Sequence, residues 1–588
     1  MRVRQLSIKN FRGIKDLNWC LPSEQRLIAL VGAGDTGKST ILEAIHYLLG
    51  DRWSIPFADT DFYNVDVTSP IEIKAVLVDL PDAIRRESVF GLWLSGLDAD
   101  GVVHQDPHDD YTPALIVSLT IDSSLEPKWA VERVDGQAHA LTASQRSHFS
   151  TFKVNDWNDT QLRWSRTSAL GRISSRDGGE REALAAASRA AREALADHDN
   201  LSLAELAKRV QERINSIGGG NFSDIKPGLD TSRSSMGAAL ALYEDVVPLT
   251  SFGLGSKRLA SLAIQQLATG SRSVAVVDEI ENGLEPHRAV RLLDYLLAED
   301  VYSQVIVTTH SPVIVEQAQI ENLATVTAHE GVVTVTSLGQ ADERLKKLRR
   351  SRPSSFLGRR IVITEGATEH GLLISCLRVW DQDRSAIGLS TSAGVGVALQ
   401  HGEGGSEVAL RTSLFRSLGY EAVGLMDNDD RTVDAAVTEA EEAGSTILRW
   451  KRGLNLETQL VSQLSESELS GLLQLAVARR SSDSTVINDL NDAANGFVIS
   501  SLEVTDWIVA STTLEDARAA IAKAAVDKKW FKDVAGGREL GRWLMGCRTS
   551  PGVADAVAIL SRLHDFIFKN ADPADTAGAS ASDNHGDE

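Results

Sequence analysis

One eight-residue run, Gly32-Ala33-Gly34-Asp35-Thr36-Gly37-Lys38-Ser39, constrains the fold of this chain more than any other feature. It meets G-x-x-x-x-G-K-[ST] at every fixed position. An apolar run, Arg26 to Val31, precedes it, and a helical pattern from Thr40 to Leu49, stopped by Gly50, follows. A glycine-rich turn between a buried strand and a helix N-terminus presents backbone N–H groups to phosphate oxygens. In that setting Lys38 neutralises the β- and γ-phosphates and the Ser39 hydroxyl is a magnesium ligand. The run therefore predicts strand, loop and helix. It also predicts ATP with Mg²⁺ held by Gly32, Gly34, Asp35, Gly37, Lys38, Ser39 and Thr40.

A P-loop enzyme needs an acidic pair at the end of a second strand. Ser273-Val274-Ala275-Val276-Val277 reads as that strand and ends in Asp278-Glu279, with Asp278 suited to magnesium and Glu279 to polarising an attacking water. A third strand, Gln304 to Thr308, ends in Thr309-His310-Ser311-Pro312, which sets His310 where a γ-phosphate is sensed. Before the acidic pair, Ser251-Phe252-Gly253-Leu254-Gly255-Ser256-Lys257-Arg258 is a glycine-rich turn opening a helix, with Gly255 as the expected nucleotide contact.

At 588 residues the chain exceeds what one core organises, so two to four domains are expected. With 43% apolar and 24% charged residues it has the balance of a soluble globular protein. Sixty Lys and Arg against 81 Asp and Glu leave a net charge of −21, which by itself argues against a polyanionic partner. The three cysteines, Cys20, Cys376 and Cys547, are too far apart for CxxC motifs or a disulfide framework and fit a reducing, cytoplasmic setting. No apolar run approaches the roughly 18 residues of a membrane span, and the N-terminus has no signal-peptide pattern.

Between about Arg163 and Tyr243 the composition turns helical. Leu184, Ala187, Ala191 and Leu195 form one stripe, and a capping box, Ser202-x-x-Glu205, opens a second helix. Such a pair packs internally or makes a dimer contact. Arg344 to Arg360 holds eight basic and no acidic residues and reads as a linker, with the linker proper at 344–358. Beyond it, buried-strand runs alternate with helical stretches, so the second half is a separate α/β domain over 359–570. The tail, 571–588, lacks Lys and Arg and reads as disordered.

In the second half, Ile361-Val362-Ile363-Thr364 ends in Glu365, with Glu369 four residues on. Leu425-Met426 ends in Asp427-Asn428-Asp429-Asp430, and Leu454-Asn455-Leu456-Glu457 adds another carboxylate. Singly, each reads as a solvated loop acid. Together they recur at the C-terminal ends of strands, where sites form in α/β sheets. Clustered carboxylates stay ionised only when a cation offsets them.

The order of first strand, P-loop, glycine-rich signature, acidic pair and switch histidine resembles the ABC-type ATPases of the DNA-repair branch. Lys38 and Asp278 stand 240 positions apart, as where a helical insertion interrupts that fold. The chain departs from the family where Leu254 replaces the signature serine and where no glutamine marks the magnesium-sensing loop. Strand-Glu-Gly followed by strand-Asp-x-Asp resembles the Toprim domain. An ATPase joined to Toprim resembles the OLD (overcoming lysogenisation defect) nucleases, and the Asp278 to Pro286 run resembles their class 2 members, which include the nuclease subunit of the Gabija anti-phage system.

The resemblance implies an α/β architecture: an ATPase over 1–162 and 246–343, a dimerising insertion over 163–245, and a Toprim domain with helical additions. It further implies a DNA endonuclease or nickase with two metal ions, Mg²⁺ or Mn²⁺ or Ca²⁺, at Glu365, Glu369, Asp427, Asp429 and Glu457. Lys532 is the basic residue for the pentavalent phosphate. Double-stranded DNA, a homodimer or higher assembly, and a UvrD-type helicase are the implied partners. Two other classes are weighed against it: a topoisomerase-like strand-passage enzyme, which needs a tyrosine nucleophile, and a non-catalytic DNA-end sensor. Basic residues in 344–360, at Arg449-Trp450-Lys451-Arg452, and at Lys528, Lys529 and Lys532 make the second domain the expected DNA-docking side despite the net charge.

Overall fold

The computed structural model describes residues 1–50, 55–149, 151–154, 242–244, 247–268, 273–298, 302–339, 343–509 and 512–571, with four isolated positions between 162 and 190. Most of 163–245, where a helical insertion is expected, and all but the first residue of the tail lie outside the described residues. Contacts divide the chain into two units. The first comprises Met1–Leu30, Gly37–Thr309 and Glu330–Val332, and the second Val31–Thr36, His310–His329 and Val333–Glu588.

The first unit is built on two kinds of strand. β1 (Arg2–Phe11), β2 (Ile14–Cys20), β4 (Ile71–Val78), β5 (Thr112–Ile121) and β6 (Pro127–Glu132) pair antiparallel in the order β2-β1-β4-β5-β6. β3 (Leu27–Val31), β7 (Thr151–Val154), β8 (Ser273–Val277) and β9 (Tyr302–Thr308) pair parallel in the order β7-β8-β9-β3. β3 and β8 are buried at every residue, as their unbroken apolar runs require of a parallel sheet covered on both faces. The buried Gln304 of β9 clasps both backbone groups of Val3. Its Oε1 accepts from Val3 N at 2.8 Å, and its Nε2 donates to Val3 O at 3.0 Å. Helices α1 (Lys38–Leu49), α2 (Leu254–Ala268) and α3 (Pro286–Ala298) follow β3, precede β8 and link β8 to β9.

The second unit contains a four-stranded, all-parallel sheet. β10 (Arg360–Thr364), β11 (Val397–His401), β12 (Glu421–Met426) and β13 (Thr446–Arg449) lie in the order β11-β10-β12-β13. The basic run expected as a linker forms a helix over most of its length, α4 (Glu343–Ser351), with Leu345 and Leu348 buried, because its apolar residues fall three apart on one face. α5 (Ala367–Ala386), α6 (Gly405–Ser417) and α7 (Asp434–Glu442) make the crossovers between successive strands. After β13 the chain is helical: α8 (Leu456–Val461), α9 (Glu466–Arg480), α10 (Asp483–Ala493), α11 (Val504–Val509), α12 (Leu514–Asp527), α13 (Val534–Gly546) and α14 (Ala554–Phe568). Val362, Leu372, Val423, Trp450, Trp530 and Leu540 share one apolar core across sheet and helices.

α5 and α13 meet at their backbones. A Cβ on Gly371 would run into Val534 O, one on Gly537 into Thr368 O, and one on Gly541 would come within 2.6 Å of Leu372 O. These three glycines let the helices approach more closely than any side chain allows.

Candidate functional site

The P-loop joins β3 to α1. Asp35 and Gly37 hold φ of 59° and 89°, and Gly37 is the N-cap of α1. Gly32, at φ 147°, lies where a Cβ would strike Val326 O, so only glycine fits. Lys38 is buried and Thr40 half-buried, while Gly34, Asp35 and Ser39 are exposed. The Thr36 hydroxyl closes the turn on Ala33 O at 3.1 Å.

Ser39 and Asp278, 239 positions apart, come together, the Ser39 hydroxyl donating to Asp278 Oδ1 at 2.9 Å. Two residues not singled out from the sequence support them. Thr308, at the end of β9, donates to Asp278 Oδ1 at 2.6 Å and accepts from Glu279 N at 2.7 Å. Arg258, 2% exposed, donates to Asp278 O at 2.6 Å and to Asn282 O at 2.9 Å. In the sequence Thr308 is legible only as the last residue of a strand, and Arg258 only as the basic end of the signature run. Glu279 is exposed and holds φ of 44°, a left-handed conformation in a non-glycine residue. Gly255 packs so closely that a Cβ would come within 2.5 Å of Gly283 O, and Leu254 is 46% exposed. His310 is exposed just beyond β9.

The second constellation lies at the C-terminal ends of β10 and β12. The strand order β11-β10-β12-β13 reverses direction between β10 and β12, and an α/β sheet opens a crevice at such a switch point. Glu365 follows β10 and Asp427 follows β12. The Asp427 N–H donates to Glu365 Oε2 at 2.9 Å, and Asp427 Oδ1 accepts from Leu456 N at 2.9 Å. Glu369, 2% exposed, accepts from Gly366 N at 2.9 Å through Oε2, whereas its Oε1 is buried without a hydrogen-bond partner. Both carboxylate oxygens of Glu457, also 2% exposed, are buried without one. Lys532 Nζ stands 3.8 Å from Glu457 Oε1. Asp429 is exposed and takes a long contact, 3.4 Å, from Asn455 Nδ2. Gly405 adjoins the crevice, where a Cβ would come within 3.4 Å of both Glu365 oxygens.

The electrostatics match this crowding. Burial, then the charges of Glu369, Glu365, Glu457 and Asp429, push Asp427 up to about 8. Burial and Glu457 push Glu369 up to about 7. Burial raises Glu365 despite the hydrogen bond from Asp427 N. Burial opposes the charge of Lys532, but Glu457, Glu369, Asp427 and Glu365 outweigh it and hold its pKa above the ordinary value. Among the described residues no three His, Cys, Asp or Glu side chains already surround a common point. The acids border one crevice without converging on a common point.

Two family models match the chain. "AAA ATPase domain" covers residues 1–90, and "AAA domain, putative AbiEii toxin, Type IV TA system" covers residues 132–316. The first half of the chain carries a P-loop ATPase domain. A stretch of 116 residues is 38% identical to the OLD nuclease of Thermus scotoductus, covering 18% of this chain and 21% of that protein. The chain thus matches about a fifth of that relative's length. Among solved structures, an Smc head domain from Pyrococcus furiosus bound to the C-terminal domain of ScpA aligns at 15% identity and a TM-score of 0.34, over 59% of this chain and 99% of that one. RecF with ATP aligns at 14% identity and a TM-score of 0.32, over 57% and 99%. Scores this low carry no inference. Among the described residues no helix is long and apolar enough to cross a membrane.

Proposed function

We propose that the chain is an ATP-binding, divalent-metal-dependent DNA endonuclease or nickase of OLD type, with an ABC-type ATPase followed by a Toprim domain over 359–570. The observation that carries the reading is the joining of Glu365 to Asp427 N at 2.9 Å, across the two strand ends flanking the switch point. The buried, undonated oxygens of Glu369 and Glu457 fit a divalent cation, because an ionised carboxylate left so is otherwise strongly penalised.

Glu365, Glu369, Asp427, Asp429 and Glu457 would hold the ions. Bound there, two divalent cations supply water activation and stabilise the leaving 3′-oxygen of a phosphodiester in an in-line displacement. Asp427, kept in place by its bond from Leu456 N, and Glu365, kept in place by Asp427 N, orient the acidic edge. Lys532 keeps its proton beside Glu457 and offers an ammonium to a phosphoryl oxygen. In the ATPase, Lys38 and the P-loop amides would receive phosphates, and Ser39 with Asp278 would hold Mg²⁺. The resemblance to ABC-type ATPases, in which ATP is sandwiched between two copies, makes a homodimer the expected assembly, and a UvrD-type helicase is a candidate partner.

The strand-passage alternative fares poorly. Tyr420 is the one tyrosine after His310, and it is buried, with its hydroxyl donating to Phe356 O at 2.8 Å. It is not placed to attack a phosphodiester. The test is supercoiled plasmid with Mg²⁺ or Mn²⁺. Nicked or linear product from the wild type, abolished in Glu365→Ala and in Asp427→Ala, is expected. Topoisomer ladders would overturn the nuclease reading, and plasmid left intact would favour a DNA-end sensor.

A further inference from the structure

The backbone contact of α5 with α13 has a second consequence. Past the glycines a groove of about 990 Å³ opens between the two helices, with Leu399 of β11 contributing to its wall. Three exposed arginines line it, Arg378 from α5 and Arg538 and Arg542 from α13. Among the described residues none of the three makes an ion pair or a side-chain hydrogen bond. Of the acids, Asp381 lines the groove, and it is occupied by Ser392, whose N donates to Oδ1 at 2.6 Å and whose hydroxyl donates to Oδ2 at 2.7 Å. In a chain of net charge −21, three uncompensated guanidinium groups on one concave surface are a local reversal of sign.

The basic residues that stand out in the sequence behave differently. Lys347 is paired with Glu403 at 2.8 Å, Arg360 with Glu421 at 2.6 Å, Arg449 with Asp434 at 2.7 Å and Lys528 with Asp492 at 2.6 Å, and Lys451 is paired with Asp555. Those charges are largely answered within the protein. Arg378 lies nine residues along α5 from Glu369, and at about 100° per residue that is half a turn round the helix. The groove is therefore not the acid crevice.

We propose that this groove anchors the phosphodiester backbone of a nucleic acid, with Arg378, Arg538 and Arg542 each meeting phosphate oxygens. Guanidinium is the group best matched to phosphate, because its planar fork donates two parallel hydrogen bonds. Such contacts carry no sequence information; they fix the position and register of the strand. The choice of nucleic acid over another polyanion rests on the nuclease reading above, and the groove itself is an anchor separate from the cutting residues.

The test uses the full chain in EDTA, so that nothing is cleaved, and follows binding of a labelled DNA duplex by fluorescence anisotropy from about 50 to 200 mM salt. The probe variants are the triple R378A/R538A/R542A and the charge-keeping triple R378K/R538K/R542K, each first shown to melt with the wild type. Taking away one arginine–phosphate pairing lowers the slope of log affinity against log salt by about one. The alanine triple should thus show a slope smaller by about three and bind at least tenfold more weakly at low salt, whereas the lysine triple should keep the slope. Wild-type binding matched by the alanine triple in affinity and slope overturns the groove and leaves the nuclease reading standing. A wild type that neither binds the duplex nor cuts plasmid overturns both.

Discussion

At the residue scale the acid crevice is a set of groups held against their own preference. Asp427 and Glu369 have pKa values raised to about 8 and about 7, so the native state binds protons that the unfolded chain releases near pH 4. Stability linked to these groups is greatest below the unfolded pKa and is lost as pH rises through about 4 to 8. The metal-free protein should accordingly melt at lower temperature at pH 8.5 than at pH 5.5. Asp427→Asn should flatten that fall, and Mg²⁺ should restore the wild type at the higher pH. Calorimetry in EDTA checks this, and a fall of equal size in Asp427→Asn would show that the crevice is not its source. Glu365 and Asp427 are legible in the sequence because each ends a buried apolar run, and Glu369, Asp429 and Glu457 because they follow such runs within a few residues. Thr308 and Arg258 are not. Their role depends on β9 and α2 lying beside the Asp278 loop, and neighbouring strands leave no local mark on sequence spacing.

At the element scale the strands β3, β8, β9, β10 and β12 can be read from unbroken apolar runs, because a parallel strand buried on both faces leaves no alternation to misread. The run that forms α4 reads instead as a linker. Its dense basic residues obscure Leu345 and Leu348, which are buried. The α5–α13 contact escapes sequence reading altogether, since glycines 166 positions apart announce nothing until the helices cross. That contact positions chemistry at both ends: Thr368, beside Glu369, donates its buried hydroxyl to Phe531 O at 3.1 Å, next to Lys532. Gly537→Ala drives a methyl into Thr368 O, an overpacking that costs about 1–3 kcal/mol. A drop of several degrees in melting temperature is expected, together with weaker Mn²⁺ binding at the acids. A Gly537→Ala variant that melts with the wild type would show that the two helices separate without cost.

At the scale of the whole molecule, the charge of −21 is a poor guide to partners because its distribution is so uneven. Acids crowd the crevice, many basic residues are consumed in ion pairs, and three uncommitted arginines, Arg378, Arg538 and Arg542, line one groove that no run of sequence reveals. The ATPase half rests on a contiguous motif, whereas the nuclease reading rests on the few carboxylates that the β10–β12 switch point brings together. Counting ions tests that reading most directly. Mn²⁺ titrated into nucleotide-free Lys38→Ala protein, followed by electron paramagnetic resonance, excludes the ATP-linked metal and reports on the crevice. Two bound ions are expected, both abolished or weakened at least tenfold when Asp427→Asn is added. Equal stoichiometry and affinity with and without Asp427→Asn would contradict the metal-dependent nuclease assignment.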